Sequence, residues 1–142
     1  ASCLVGSEMC IRDRNRLVHA FKAGGEKLWV RHMGREETEL WYEEKDFTGI
    51  KVLLVEWTHS NSEYYSGVDI PIYLDSTPQE TLQSRLERNR DQWIDNPFTM
   101  MVLDIEQKML KKQAEKAKLI VTRDGTVLDW KEYAQFVPKL QK

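Results

Sequence analysis

The amino-acid sequence predicts an α/β fold built on a parallel sheet, with a β-hairpin ahead of it. Three observations carry this prediction. Short apolar, largely β-branched runs of strand length occur at "KVLLVEW", "VDIPIYLD" and "AKLIV". Between them lie stretches whose apolar residues recur at helical spacing, and alternation of the two kinds is the mark of parallel strands covered by helices. Upstream, "LWVRH" and "ELWYEEK" alternate apolar and polar residues around "MGREET", as the two arms of a hairpin do.

The bulk composition fits this class. A chain of 142 residues can bury a core, and one domain over residues 15–142 is the expectation. Within it the hairpin takes 28–45, the α/β core 50–128 and a C-terminal helix 129–140. Five Trp, five Tyr and four Phe argue against disorder. A net charge of −2 gives no electrostatic case for nucleic acid or an anionic membrane. No apolar run approaches the roughly 20 residues of a membrane span. With no targeting segment in view, the expectation is a cytoplasmic protein with neither nucleic-acid nor membrane partners.

The first 14 residues stand apart. "LVGSEMCIRDR", Leu4 to Arg14, resembles the in-frame translation of a transposase-type sequencing adapter, whose end encodes Glu8 to Asp13 in order. Tracts of that origin are set aside in fold reasoning. Cys3 and Cys10 both fall in or beside it, so they indicate no redox compartment. The net charge is the same without it, because it holds two basic and two acidic residues.

The elements follow in order. "NRLVHAFKAGG" reads as a short helix with Leu17, Val18 and Phe21 on one face and Gly24-Gly25 as its stop. "FTG" turns into the buried-type strand "KVLLVEW", and residues 60–67 form a loop or short helix. In the second buried-type strand "VDIPIYLD", Pro71 belongs near the strand start or where one edge is free, since it cannot donate to a ladder. "STPQE" opens a helix with Thr77 as N-cap, Pro78 at N1 and Glu80 closing a capping box; Leu82 and Leu86 point inward. "DNPFTMMVLDIEQKMLKKQ" repeats the device with Asn96 and Pro97. Its Phe98, Met101, Val102, Ile105 and Met109 share one helix face. "AKLIVTRDG" is a third strand closed by a turn.

In open α/β sheets ligands sit beyond the carboxyl ends of the strands. Those ends are Glu56 with Trp57 to Ser60, Asp75 with Ser76, and Thr122 with Arg123 and Asp124. A carboxylate there can hold a hydrated Mg²⁺, take a proton from an attacking hydroxyl, or simply reach solvent. In "SRLERNRD", Arg85 and Arg88 share a helix face, with Arg90 close behind. Planar guanidinium forks suit phosphate oxygens, although such a run also makes an ordinary solvated face. His19, His32 and His59 show no metal-ligand spacing. No HExxH, dinucleotide GxGxxG or Ser-His-Asp order is present, and "AGGEK" lacks the spacing of a phosphate loop.

Taken together, "GIKVLLVEWTHS", "GVDIPIYLDSTPQETLQSRLERNRD", "DNPFTMMVLDIEQKML" and "AEKAKLIVTRDGTVL" resemble the C-terminal half of a P-loop kinase of the uridine kinase and phosphoribulokinase type. The hairpin resembles the one that these kinases place over the phosphate acceptor, and the likeness covers roughly residues 28–128. It implies a partial P-loop NTPase (nucleoside-kinase-like) three-layer fold that lacks its first strand and its phosphate loop. It also implies ATP and Mg²⁺ as cofactors and a small-molecule hydroxyl as phosphoryl acceptor. By position, Glu56 would be the acidic residue near Mg²⁺, bound through water, and a catalytic group together with lid residues Arg85 and Arg88. Arg90, Thr122, Arg123 and Gly125 would lie near ATP, and Trp57, Thr58 and His59 would border the acceptor. Three departures stand out. Trp57 occupies a position usually held by Gly, Pro71 interrupts a strand that is internal in the family, and no GxxxxGK[ST] motif is present. A missing first strand would leave hydrogen-bonding edges open. The competing expectation is a non-enzymatic α/β binding module that uses Trp29, Trp41 and Tyr42 as a contact patch.

Overall fold

The computed structural model describes residues 2–5, 11–33, 39–77, 79–80 and 97–136. The chain falls into two compact units, Ala1–Asp69 and Ile70–Lys142, where the sequence pattern leads one to expect a single domain.

The first unit holds β1 (Ser2–Val5), α1 (Ile11–Lys22), β2 (Lys27–Met33), β3 (Leu40–Asp46) and β4 (Val52–Val55). β2 and β3 pair antiparallel from Lys27↔Asp46 to Met33↔Leu40. β1 pairs with β4 in parallel, Ser2↔Val52 through Val5↔Val55. β1 and the first turn of α1 fall within the tract read as adapter-derived. Leu4 and Val5 lie in a strand, and Ile11 to Arg14 make the first turn of a helix expected to begin at 15. One edge of β4, expected to be open, is taken by β1.

α1 exists because Leu17, Val18 and Phe21 repeat at helical spacing and have something to bury against. Leu17, Val30 and Phe47 form the buried centre, with Phe21, Leu28, Ile50 and Leu53 packed around it. The helix closes where the Gly25 amide donates to the Ala20 carbonyl at 2.9 Å and that of Gly24 to Phe21 at 3.0 Å. β4 is only half-buried, with Val52 and Leu54 exposed at 57% and 51%. A strand expected to be covered on both faces is covered on one.

The second unit holds β5 (Ile72–Leu74), α2 (Pro97–Gln113), a 3-10 turn at Ala114–Lys116, β6 (Leu119–Val121), β7 (Val127–Leu128) and α3 (Trp130–Phe136). β5 and β6 pair in parallel, and β7 returns antiparallel on β6. Pro71 sits just before β5, where its missing N–H costs nothing and its carbonyl accepts from the Lys118 amide at 2.8 Å. Ile120 is fully buried among Tyr73, Ala114, Ala117 and Tyr133. The other sheet face, with Ile72, Leu74 and Val127, is exposed. α2 also differs from expectation. Its stripe of Phe98, Met101, Val102, Ile105 and Met109 is exposed, and Leu110 on another side packs on the core. The helix expected from Thr77 lies mostly outside the described residues, and so do its Leu82 and Leu86 and the cap Asn96.

Candidate functional site

The first candidate group surrounds the end of β4. Glu56 follows the last paired residue, Val55, and is exposed. Successive residues of extended chain point to opposite sides, so an outward Glu56 goes with an inward Trp57. Trp57 is the hub of a packed cluster. The guanidinium carbon of Arg14 stands 4.3 Å from its ring centroid, a cation–π contact. His59 and Tyr65 meet it edge-on at 5.4 and 6.3 Å. Arg14, Asn61 and Tyr65 are buried. Burial raises the Tyr65 hydroxyl above its ordinary value, and the Arg14 charge partly opposes that.

α1 clasps the loop that leads away from this cluster. Asn15 donates to the Tyr64 carbonyl at 3.0 Å and accepts from the Ser66 amide at 3.1 Å. Lys22 reaches the Gly67 carbonyl at 3.1 Å and the Asp69 carboxylate at 2.6 Å. Gly67 has φ +85°, and a Cβ there would meet Val18 Cγ1 at 3.1 Å and His19 Cε1 at 3.2 Å. Only glycine meets both conditions, which lets the loop lie flat on the helix. Asp13 pairs with Arg31 at 3.3 Å and joins the helix to the hairpin.

The second group belongs to the other unit and gathers at the ends of β5 and β6. Tyr73 is pushed up to about 12, first by burial and then by the Asp75 carboxylate. Tyr133 moves in the same direction, through burial, the Asp75 charge and a hydrogen bond to Asp75. Gln107 of α2 donates to the Ser76 carbonyl at 2.9 Å. The capping box read from "STPQE" is formed: the Thr77 amide donates to Glu80 at 2.8 Å and the Glu80 amide to the Thr77 hydroxyl at 3.2 Å. These bonds hold the Glu80 carboxyl below its usual range, Thr77 contributing most and Arg123 least. Arg123 lies 3.8 Å from Glu80.

The turn from Thr122 to Thr126 is closed by its own groups. The Thr122 amide donates to the Thr126 carbonyl at 3.0 Å, and the Gly125 amide to the Thr122 carbonyl at 2.9 Å. Asp124 accepts from the Thr122 hydroxyl and from the Thr126 amide at 3.1 Å, which lowers its carboxyl from the ordinary value. Gly125 has φ +84°, the left-handed value that such a turn needs.

Of the residues singled out in the sequence, Trp57 and His59 are brought into contact, Thr58 and Glu56 are exposed beside them, and Thr122, Arg123 and Gly125 share one turn. Arg85, Arg88 and Arg90 lie outside the described residues. Sequence reading missed Arg14, Tyr65, Tyr73 and Tyr133. Nothing in local pattern marks a contact between Arg14 and Trp57, which are far apart in the chain, whereas the spacing of Tyr73 and Asp75 on β5 could have marked that pair. Among the described residues no three His, Cys, Asp or Glu side chains gather as a metal-holding group.

These features define an α/β chain with two strand-end clusters rich in polar and aromatic groups. No protein-family model matches the sequence, and no solved structure does. Among curated proteins it is similar to the bifunctional α-galactosidase/sucrose kinase AgaSK of Mediterraneibacter gnavus, 46% identical over 115 residues. The match covers 81% of this chain and 12% of that protein, so the chain spans a small part of its relative's length. The likeness relates the chain to a kinase. Among the described residues no helix is long and apolar enough to cross a membrane.

Proposed function

We propose that the chain is part of an ATP-dependent small-molecule kinase of the P-loop, uridine kinase-like type, and that its phosphoryl acceptor is a sugar hydroxyl. The observation that carries the reading is the 46% identity to a protein named for sucrose kinase activity, together with the strand-end carboxylate Glu56. MgATP, when bound, supplies the γ-phosphoryl group. Glu56 either accepts hydrogen bonds from metal-bound water or takes the proton of the attacking hydroxyl. The arginines at 85, 88 and 90 neutralise charge that develops on the transferring group. The turn at Thr122, Arg123 and Gly125 borders the nucleotide. Thr58 and His59 border the acceptor, while Trp57 braces the loop from beneath through Tyr65. A cytoplasmic setting accords with this chemistry.

The 142 residues contain no GxxxxGK[ST] sequence, whose backbone amides and lysine hold the phosphates in this class, so the chain alone is expected to be inactive. The test is to sequence the uninterrupted parental gene and assay its product with MgATP and sucrose. A GxxxxGK[ST] motif between a strand and a helix just before residue 15, with phosphorylated sugar as product, is the expected result. An upstream region without that motif, or a pure product that leaves every sugar tested unphosphorylated, would overturn the proposal. Micromolar MgATP binding by the 142-residue chain itself would contradict its inactivity.

A further inference from the structure

The sheet of the second unit has one face filled and one face bare. Its register aligns Tyr73, Ile120 and Leu128 on one side, where Ile120 is fully buried and Ala114, Ala117 and Tyr133 close around it. The same register sets Ile72 beside Leu119, Leu74 beside Val121 and Val121 beside Val127 on the other side. Every strand position on that side is aliphatic. Leu74 is exposed at 68%, Val127 at 56%, Ile72 at 39% and Leu119 at 37%, and Val121 is half-buried.

A sheet that faces water on one side alternates apolar with polar residues, and this one does not. β5 and β6 run parallel, and parallel strands with apolar residues on both sides belong to sheets covered on both faces. The size of the patch selects what can cover it. Five side chains on strands of two or three residues fall well short of the roughly 800 Å² per partner of a stable interface between separate molecules. A segment of the same polypeptide loses no association entropy and can settle on so small a surface. The 115 matched residues are 12% of the relative's length, so a parental chain of that kind holds ample further sequence. We propose that the bare face is covered, in the longer parental protein, by an amphipathic helix from outside these 142 residues. A helix fits because the apolar surface lies on the face of the sheet, and a helix about 10 Å wide spans two to three strands spaced about 4.8 Å apart. The inference rests on the chain being part of a longer protein and on no step of the kinase reaction.

The experiment is alkylation by iodoacetamide, read peptide by peptide by mass spectrometry, on single cysteine substitutions in the 142-residue chain and in the parental protein. Leu74→Cys and Val127→Cys should react freely in the chain and at least about tenfold more slowly in the parental protein, where the covering layer must open first. Glu115→Cys, exposed on the 3-10 turn after α2, should react alike in both. Equal rates at 74 and 127 in the two proteins overturn the proposal, as does a parental gene with no further coding sequence. Protection already present in the 142-residue chain overturns it as well. A rate that falls with protein concentration would mean that a second copy covers the face, and one that does not would mean that the chain covers itself. Equal protection at all three positions also overturns it, since the cover would not belong to this face. The kinase reading fails separately. A parental protein that phosphorylates sugar while 74 and 127 react freely removes the helix and keeps the kinase, and protection in a protein without kinase activity does the reverse.

Discussion

Raising the pH should unfold the second unit through its two buried tyrosines. Tyr73 ionises near 12 in the folded chain, against about 10 for an unfolded tyrosine. Below pH 10 both states hold the proton and the stabilisation is fully present. Between 10 and 12 the unfolded chain has released it and the folded chain has not, so stability falls as pH rises through that window. A proton retained across that window corresponds to about 3 kcal/mol from Tyr73 alone, and Tyr133 acts in the same direction. That loss is a large share of what a small domain has. The assay is the Cζ chemical shift of ¹³C-labelled tyrosine followed with pH, beside far-UV circular dichroism. Two resonances should lag the free tyrosine value and then titrate together with loss of structure. Asp75→Asn should bring both partway down by removing its negative charge, leaving the larger effect of burial. Ionisation of both tyrosines near pH 10 with the structure intact would refute the reasoning.

Other outcomes follow from the same packing and hydrogen bonding. Ile120→Ala removes a fully buried side chain and should cost about 2–5 kcal/mol in urea unfolding, with Ile120→Val near 1 kcal/mol. Thr77→Ala breaks one arm of the capping box and should cost about 1 kcal/mol of helix stability, read by thermal melting. Glu56→Gln in the parental enzyme should lower kcat by about 10²–10⁴-fold and leave its circular dichroism unchanged, since the side chain is exposed. Gly67→Ala forces a side chain into a left-handed backbone against Val18 and should destabilise by more than the roughly 0.4–1 kcal/mol gained where alanine fits, measured by the same urea titration.

Local chemistry was readable where it is self-contained. Thr77 and Glu80 announce a cap because both partners lie within one turn, and Asp129 with Glu132 forms a second such box that sequence reading passed over. The hairpin was readable because alternation reports a pleat with one covered face. Burial was less readable. Phe98, Met101, Val102, Ile105 and Met109 do lie on a helix, yet periodicity tells which residues share a side and nothing of whether anything covers it. β4 and β5 look alike in composition to doubly buried strands, but their fate depends on how many layers the chain brings to them. Trp57 was marked for an acceptor border by its place after Glu56. Turned inward, it meets Arg14, a contact that no local spacing could reveal.

The parallel pairing of β1 with β4 bears on the order in which the first unit assembles. Val5 and Val52 are separated by the whole of α1 and the hairpin, so closing that loop costs entropy which only a few backbone hydrogen bonds offset. The hairpin pairs strands that are neighbours in sequence and can form within microseconds, with α1 docking on it soon after. The β1 strand then arrives on a surface already built, and it is also the element whose departure disturbs the rest least. Amide protons shared between β1 and β4 should therefore exchange with solvent long before those of Val30 and Phe47, through an opening that leaves the Leu17 core standing.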